Sequence, residues 1–233
     1  MEASLTSRGF IVLCVLLGAL LFGWLLSRDN SARPQLSEVP APTINKHPLV
    51  FASRTFDPAN PPADMPPLAA GENAECDSDF LSNAIVGGKS RKTDATHATL
   101  TITQINVTLQ LLITIWVPAG VTQHVIEHEE GHREISETYY QTADKVAEQI
   151  AATYMGKQVE ITGTDLGAES NKMLQQMAAE ITGEYNKQLN PEPAQLLYDT
   201  ITDHSRNEVV VKDAVAHALN NVAAESTPPA TPR

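Results

Sequence analysis

His128-Glu129-Glu130-Gly131-His132 decides how this chain is read. The pattern H-E-x-x-H carries chemistry only on a helix. There, residues four apart lie about 40° apart around the axis, so both imidazoles can meet one metal ion. Glu129, one position on, is turned away by roughly 100° and reaches a water on the metal rather than the metal itself. So short a pattern also arises by accident. The surrounding chain must therefore supply the helix, its burial and a third ligand.

The stretch just before the motif has period two. Ile105, Val107, Leu109, Leu111, Ile113, Ile115 and Val117 share one face, and Asn106, Thr108, Gln110, Thr114 and Trp116 the other. Only Leu112 breaks the alternation. This is a half-buried strand, or two in succession. Leu100 and Ile102 have the opposite parity, which requires a bulge or turn near Thr103-Gln104. Gly87-Gly88 reads as a turn, and Pro118 and Gly120 end the strand.

The motif helix then runs from Val121 or Thr122 to Met155, with Gly156 as its stop signal. Val125, His128, His132, Ile135, Tyr139, Val146 and Ile150 form one stripe, so both histidines face the core side. Gly131 costs about 1 kcal/mol relative to Ala inside a helix, a cost that close approach of another backbone would explain. A second helix follows Gly163 to Asp165, with Leu174, Met177, Ile181 and Tyr185 as its stripe, and ends near Asn190-Pro191. Ala194 to Thr202 is a shorter helix ending in the turn Asp203-His204-Ser205. Val211, Val215, Ala218, Leu219 and Val222 mark a last one.

The chain has 233 residues, 42% of them hydrophobic, and a formal net charge of −12. That charge excludes nucleic acid as a natural partner, because phosphate binding needs Lys and Arg. Two cysteines, Cys14 and Cys76, fall in different environments and make no disulfide framework. A metal would therefore be held by nitrogen and oxygen. Residues 1–9 flank an unbroken apolar run, Phe10 to Leu26, longer than the usual h-region of about 7–15 residues and without a good cleavage site. It reads as a transmembrane signal anchor, with the rest of the chain periplasmic, or secreted if the segment is cleaved. Residues 27–79 are a Pro-rich linker in which Leu49-Val50-Phe51 can dock as a short strand. Residues 80–225 form one α+β domain, and 226–233 a tail.

A catalytic zinc takes three protein ligands and keeps one position open. His128 and His132 are two. Candidates for the third are His204, Asp165, Glu180 or Glu184, Glu137 and His124. His124 and His132 are about 12 Å apart along the helix axis, too far to close round one ion with His128 between them. Glu180 and Glu184 read as solvent-facing charges. Gly163-Thr164-Asp165 resembles the Gly-Thr-x-Asp element of aspzincins, although Leu166 stands at the ligand position, and an N-cap explains Asp165 equally.

The motif helix, with Ile135 and Tyr139 following it, resembles the secreted zinc-dependent proteases of bacteria catalogued as a domain of unknown function. That family has a downstream Tyr-Asp-x-x-Thr-x-His-Gly element, and this chain has Tyr198-Asp199-Thr200-Ile201-Thr202-Asp203-His204-Ser205. Ser205 replaces the glycine, and Glu208 stands where a glutamine is expected. The resemblance spans roughly residues 80 to 210 and implies a zincin-like domain, with a small antiparallel sheet packed on a long HExxH helix and helices C-terminal to it. It implies Zn2+ on His128, His132 and His204; the aspzincin-like element leaves Asp165 as the alternative third ligand, and a zinc site of this kind makes Glu129 the general base for hydrolysis of a peptide or protein. Tyr198, with Tyr139 behind it, is the expected donor to the developing oxyanion.

Overall fold

In the computed structural model the described residues are 40–68 and 71–225. The anchor expected at 10–26 and the tail at 226–233 lie outside them. Among the described residues no helix is long and apolar enough to cross a membrane.

The alternating stretch is the centre of an α+β fold. Strand β3 (Glu75–Lys92) and strand β4 (His97–Pro118) form a long antiparallel hairpin. On β4, Ala98, Leu100 and Ile102 are buried, then Ile105, Val107, Leu109, Leu111, Ile113 and Ile115. Parity flips where expected: Gly87 pairs with Gln104 and Gly88 with Ile102, leaving Thr103 as the extra residue of a bulge. Gly87-Gly88 is thus no turn but the strand opposite that bulge. A Cβ on Gly88 would come within 2.8 Å of Leu100 Cδ1 and of the Thr101 carbonyl oxygen, so the close approach of the strands there requires glycine.

The second edge of β4 is shared by three short strands lying end to end. Strand β5 (Gln158–Thr162) pairs antiparallel with residues 97–101. Strand β1 (Thr43–Lys46) pairs parallel with residues 106–109, and β2 (Val50–Phe56) parallel with residues 112–118. Two expectations are corrected here. The sheet is mixed rather than antiparallel, and the folded domain begins near residue 43 rather than 80. Prolines flank β1 and β2 rather than interrupting them, so these two strands sit at an edge of the sheet as prolines permit. The docking expected of Leu49-Val50-Phe51 is part of β2.

Five helices follow the hairpin. Helices α1 (Gln123–Gln141) and α2 (Ala143–Ala152) replace the single long helix expected to Met155. They part at Thr142, whose N–H bonds back to the Tyr139 and Tyr140 carbonyls and whose hydroxyl also donates to Tyr139 O. The break turns Ala143, Ala147, Ile150 and Ala151 into the main core. Tyr140 pins the joint, its hydroxyl donating to His47 O at 2.7 Å and Leu109 O at 3.2 Å. Helix α3 (Leu166–Gln188) buries Met177, Ile181 and Tyr185 against the sheet. Helices α4 (Glu192–Thr202) and α5 (Val211–Glu225) pack on α1 in a smaller core of Ile135, Ala194, Tyr198, Ala214, Val215 and Ala218.

Candidate metal centre

The sheet delivers the motif. β4 ends at Pro118, Gly120 turns with φ +77°, and α1 starts three residues later. Val125 and Ile126 then pack on Ile115, Val117 and Ala74, which fixes the first turn of α1 against the sheet. His128 and Glu129 are each 5% exposed. The Nε2 atoms of His128 and His132 lie 3.2 Å apart.

A carboxylate completes the group. Asp199 Oδ1 is 2.9 Å from His132 Nε2 and 3.3 Å from His128 Nε2. His128, His132 and Asp199 form a buried cluster that can hold a metal ion. A second group, Glu72, Asp199 and His204, shares the same aspartate. His204 Nδ1 is 3.4 Å from Glu72 Oε1 and 3.8 Å from Asp199 Oδ1, and its side chain is 41% exposed. It sits at the rim of the cleft, on three consecutive left-handed residues, Asp203 (φ 46°), His204 (φ 51°) and Ser205 (φ 63°). Ser205 thus adopts a left-handed backbone that glycine would favour.

The histidine tautomer follows from Gln195. Its amide nitrogen lies 3.1 Å from the His132 carbonyl oxygen, which only accepts, and 3.0 Å from Ser136 Oγ. Gln195 Oε1 therefore faces His132 Nδ1 at 2.6 Å, and Nδ1 must carry the hydrogen. In the neutral ring this leaves the Nε2 lone pair for a metal. Replacing Gln195 by Leu is expected to weaken metal binding about 10- to 100-fold while the fold persists. Titration of the purified domain with a competing chelator measures this, and unchanged affinity would remove Gln195 from the design.

Electrostatics reinforces the cluster. Burial by itself would raise the Asp199 carboxyl, but hydrogen bonds from His128 and His132 outweigh it and hold the group well below its ordinary value. Burial favours neutral His128, only partly offset by Asp199, and its pKa is lowered. Burial acts likewise on His132, but the Asp199 bond and charge, then the Glu129 charge, prevail and raise it. Glu129 is pushed up to about 8, first by burial, against the pull of His132 and with the push of Glu75 and Glu72. These side chains line one cleft of about 630 Å³, into which Glu129, His128, His132, Asp199 and His204 all open.

Tyr198 lies elsewhere than expected. It is fully buried, stacked on the His128 ring at 5.0 Å and 17° and edge-on to His132 at 4.8 Å. Its hydroxyl donates to His128 O at 3.1 Å, so it is spent on the α1 backbone and is no oxyanion donor. Tyr139 packs in the smaller core with α4 and α5. The reason for Gly131 is also clear, and it is a side chain rather than a backbone. A Cβ there would lie 2.2 Å from the Tyr198 hydroxyl oxygen.

Asp165 caps α3, its Oδ1 accepting from the N–H groups of Gly167 and Ala168 at 3.0 Å each. It belongs to neither metal-competent group. Gln195, and the place of Asp199 beside the two histidines, are what sequence reading missed. Their signal was a polar pair at i and i+4 on α4, the spacing that puts both on one side of the helix. No protein-family model, no curated protein and no solved structure matches this chain.

Proposed function

We propose that this domain is a zinc-dependent peptidase of zincin type, acting outside the cytoplasm behind the apolar segment 10–26. The observation that carries the reading is a buried, metal-competent cluster lying in one cleft with an unpaired carboxyl next to it in sequence. The fit to zinc is geometric. With Zn–N distances of 2.0–2.1 Å, tetrahedral ligands stand roughly 3.3 Å apart. The separations among His128, His132 and Asp199 are 2.9, 3.2 and 3.3 Å. These three would hold the ion, with His204 on the open side of Asp199.

A zinc ion bound there supplies Lewis acidity, polarising a peptide carbonyl and lowering the pKa of a water to about 7. Glu129 takes up a proton in the cleft and returns it to the leaving amine. In the metal-free protein burial favours the protonated form of Glu129, and a divalent ion on the neighbouring histidines favours the ionised carboxylate that a base requires. Gln195 orients the His132 imidazole through Nδ1, and Tyr198 stiffens the ring of His128 from behind.

The test is hydrolysis of a quenched-fluorescent peptide library by the purified domain. Activity abolished by a chelator and restored by zinc is expected. No hydrolysis by protein carrying stoichiometric zinc would reject the peptidase reading in favour of a binding domain. Metal content of single variants tests the ligands. Asp199→Ala is expected to lose zinc and Asp165→Ala to keep it. If His204→Ala alone loses the metal, the third ligand is His204.

A further inference from the structure

A chain of hydrogen bonds leads from the metal-competent cluster to the β3 wall of the cleft, and the proton of each link has one place to go. His132 Nδ1–H donates to Gln195 Oε1 at 2.6 Å. Both N–H bonds of the Gln195 amide are then committed, one to His132 O at 3.1 Å and one to Ser136 Oγ at 3.0 Å. Ser136 is fully buried on α1, and its hydroxyl, already accepting from Gln195, donates to Ser78 Oγ on β3 at 3.0 Å. Ser78 therefore accepts from Ser136 and keeps its own proton to donate. Its one other partner among the described residues is Cys76 Sγ at 3.8 Å, a weak acceptor. Ser78 lines the same cleft as His128, Glu129 and His132.

Resting on the peptidase reading, we infer that the Ser78 hydroxyl donates a hydrogen bond to a carbonyl oxygen of the bound peptide, the role that the buried Tyr198 hydroxyl cannot take. Ser136 is then a positioning residue, which touches no substrate and fixes the direction of the Ser78 proton. The three links run the same way, so each donor polarises the next. With His132 Nε2 on a cation, Nδ1–H becomes a stronger donor, and the effect passes through Gln195 and Ser136 to Ser78. A carbonyl oxygen that gains negative charge during hydrolysis strengthens such a bond, and a donor already aimed at it needs no reorganisation.

The experiment uses the zinc-loaded domain and a library peptide that it cleaves. Ser78→Ala is expected to keep its zinc and to lower kcat/KM about tenfold or more. Ser136→Ala should lower it by a smaller factor. The double variant should be no slower than Ser78→Ala alone, because Ser136 acts only through Ser78. An unchanged kcat/KM for Ser78→Ala overturns the donor and leaves the peptidase reading standing. Zinc lost together with activity in Ser78→Ala makes the residue structural and equally overturns the donor. Losses that multiply in the double variant overturn the relay through Ser136. Binding of the library peptides to zinc-loaded Glu129→Gln protein, with and without Ser78→Ala, separates the two ideas. Weaker binding on removal of the hydroxyl, in a domain that hydrolyses nothing when unsubstituted, upholds the contact and overturns the peptidase reading.

Discussion

Gly131→Ala is expected to lower the stability of the domain by about 2–4 kcal/mol, although alanine is the better helix former by about 1 kcal/mol. The added methyl would sit 2.2 Å from Tyr198 Oη, 2.5 Å from its Cζ and 3.1 Å from Val211 Cγ1. Tyr198 cannot yield, because it is fully buried and bonded to His128 O. The strain is released only if α4 moves away from α1, and α4 carries Gln195 and Asp199. Metal affinity should therefore fall together with stability. For a domain of this size the melting temperature should drop by about 5–15 °C. Tyr198→Ala is destabilising in its own right, by about 3–5 kcal/mol, but in the double variant the clash has gone and the two costs should not add. Additive costs in thermal unfolding would show that Gly131 and Tyr198 do not meet.

Glu129→Gln separates catalysis from architecture. The substitution keeps the volume and removes the proton acceptor, so zinc should stay bound while hydrolysis falls by about 10²- to 10⁴-fold. Hydrolysis that survives the change would refute Glu129 as the base. The same variant makes a pH prediction for protein stripped of metal. Glu129 and Glu75, at about 8 and about 7 in the fold, both lie above their ordinary value of 4.5. Folding therefore takes up protons, and the stability is fully present below 4.5 and is lost as pH rises through 7 and 8. The variant lacks one of the two groups and should lose less stability over that range. Urea unfolding at pH 5 and pH 8 measures the difference, and equal losses would mean that Glu129 ionises normally.

The parts legible in the sequence were those with a strong period or a fixed spacing of residue types. The strand of period two and its parity flip located β4 and the bulge at Thr103, because a one-residue insertion must exchange the faces of a strand. The two motif histidines and Glu129 were legible from their spacing. What was hidden was set by tertiary partners. Strands β1 and β2 carry almost no buried residues, since they cover an edge rather than a core, and their periodicity is correspondingly weak. The helix break at Thr142 has no Gly or Pro and comes from bonds that Thr142 and Tyr140 make in the folded chain. Asp199 was read as part of a motif, but its place beside the histidines depends on how α4 lies across α1.

The end-to-end arrangement of strands along β4 sets a practical boundary for handling this protein. A fragment cut at Phe80 would retain every residue of H-E-x-x-H and the His204 turn. It would also strip the partner backbone from β4 at 106–109 and 112–118, along with the opening residues of β3. The hairpin would then present a long, strongly hydrophobic rim open to like chains, the condition under which sheets stack into aggregates. Fragments that keep residue 40 onward retain that natural seal. Expressed side by side, the longer fragment should stay in the supernatant and the shorter one in the pellet.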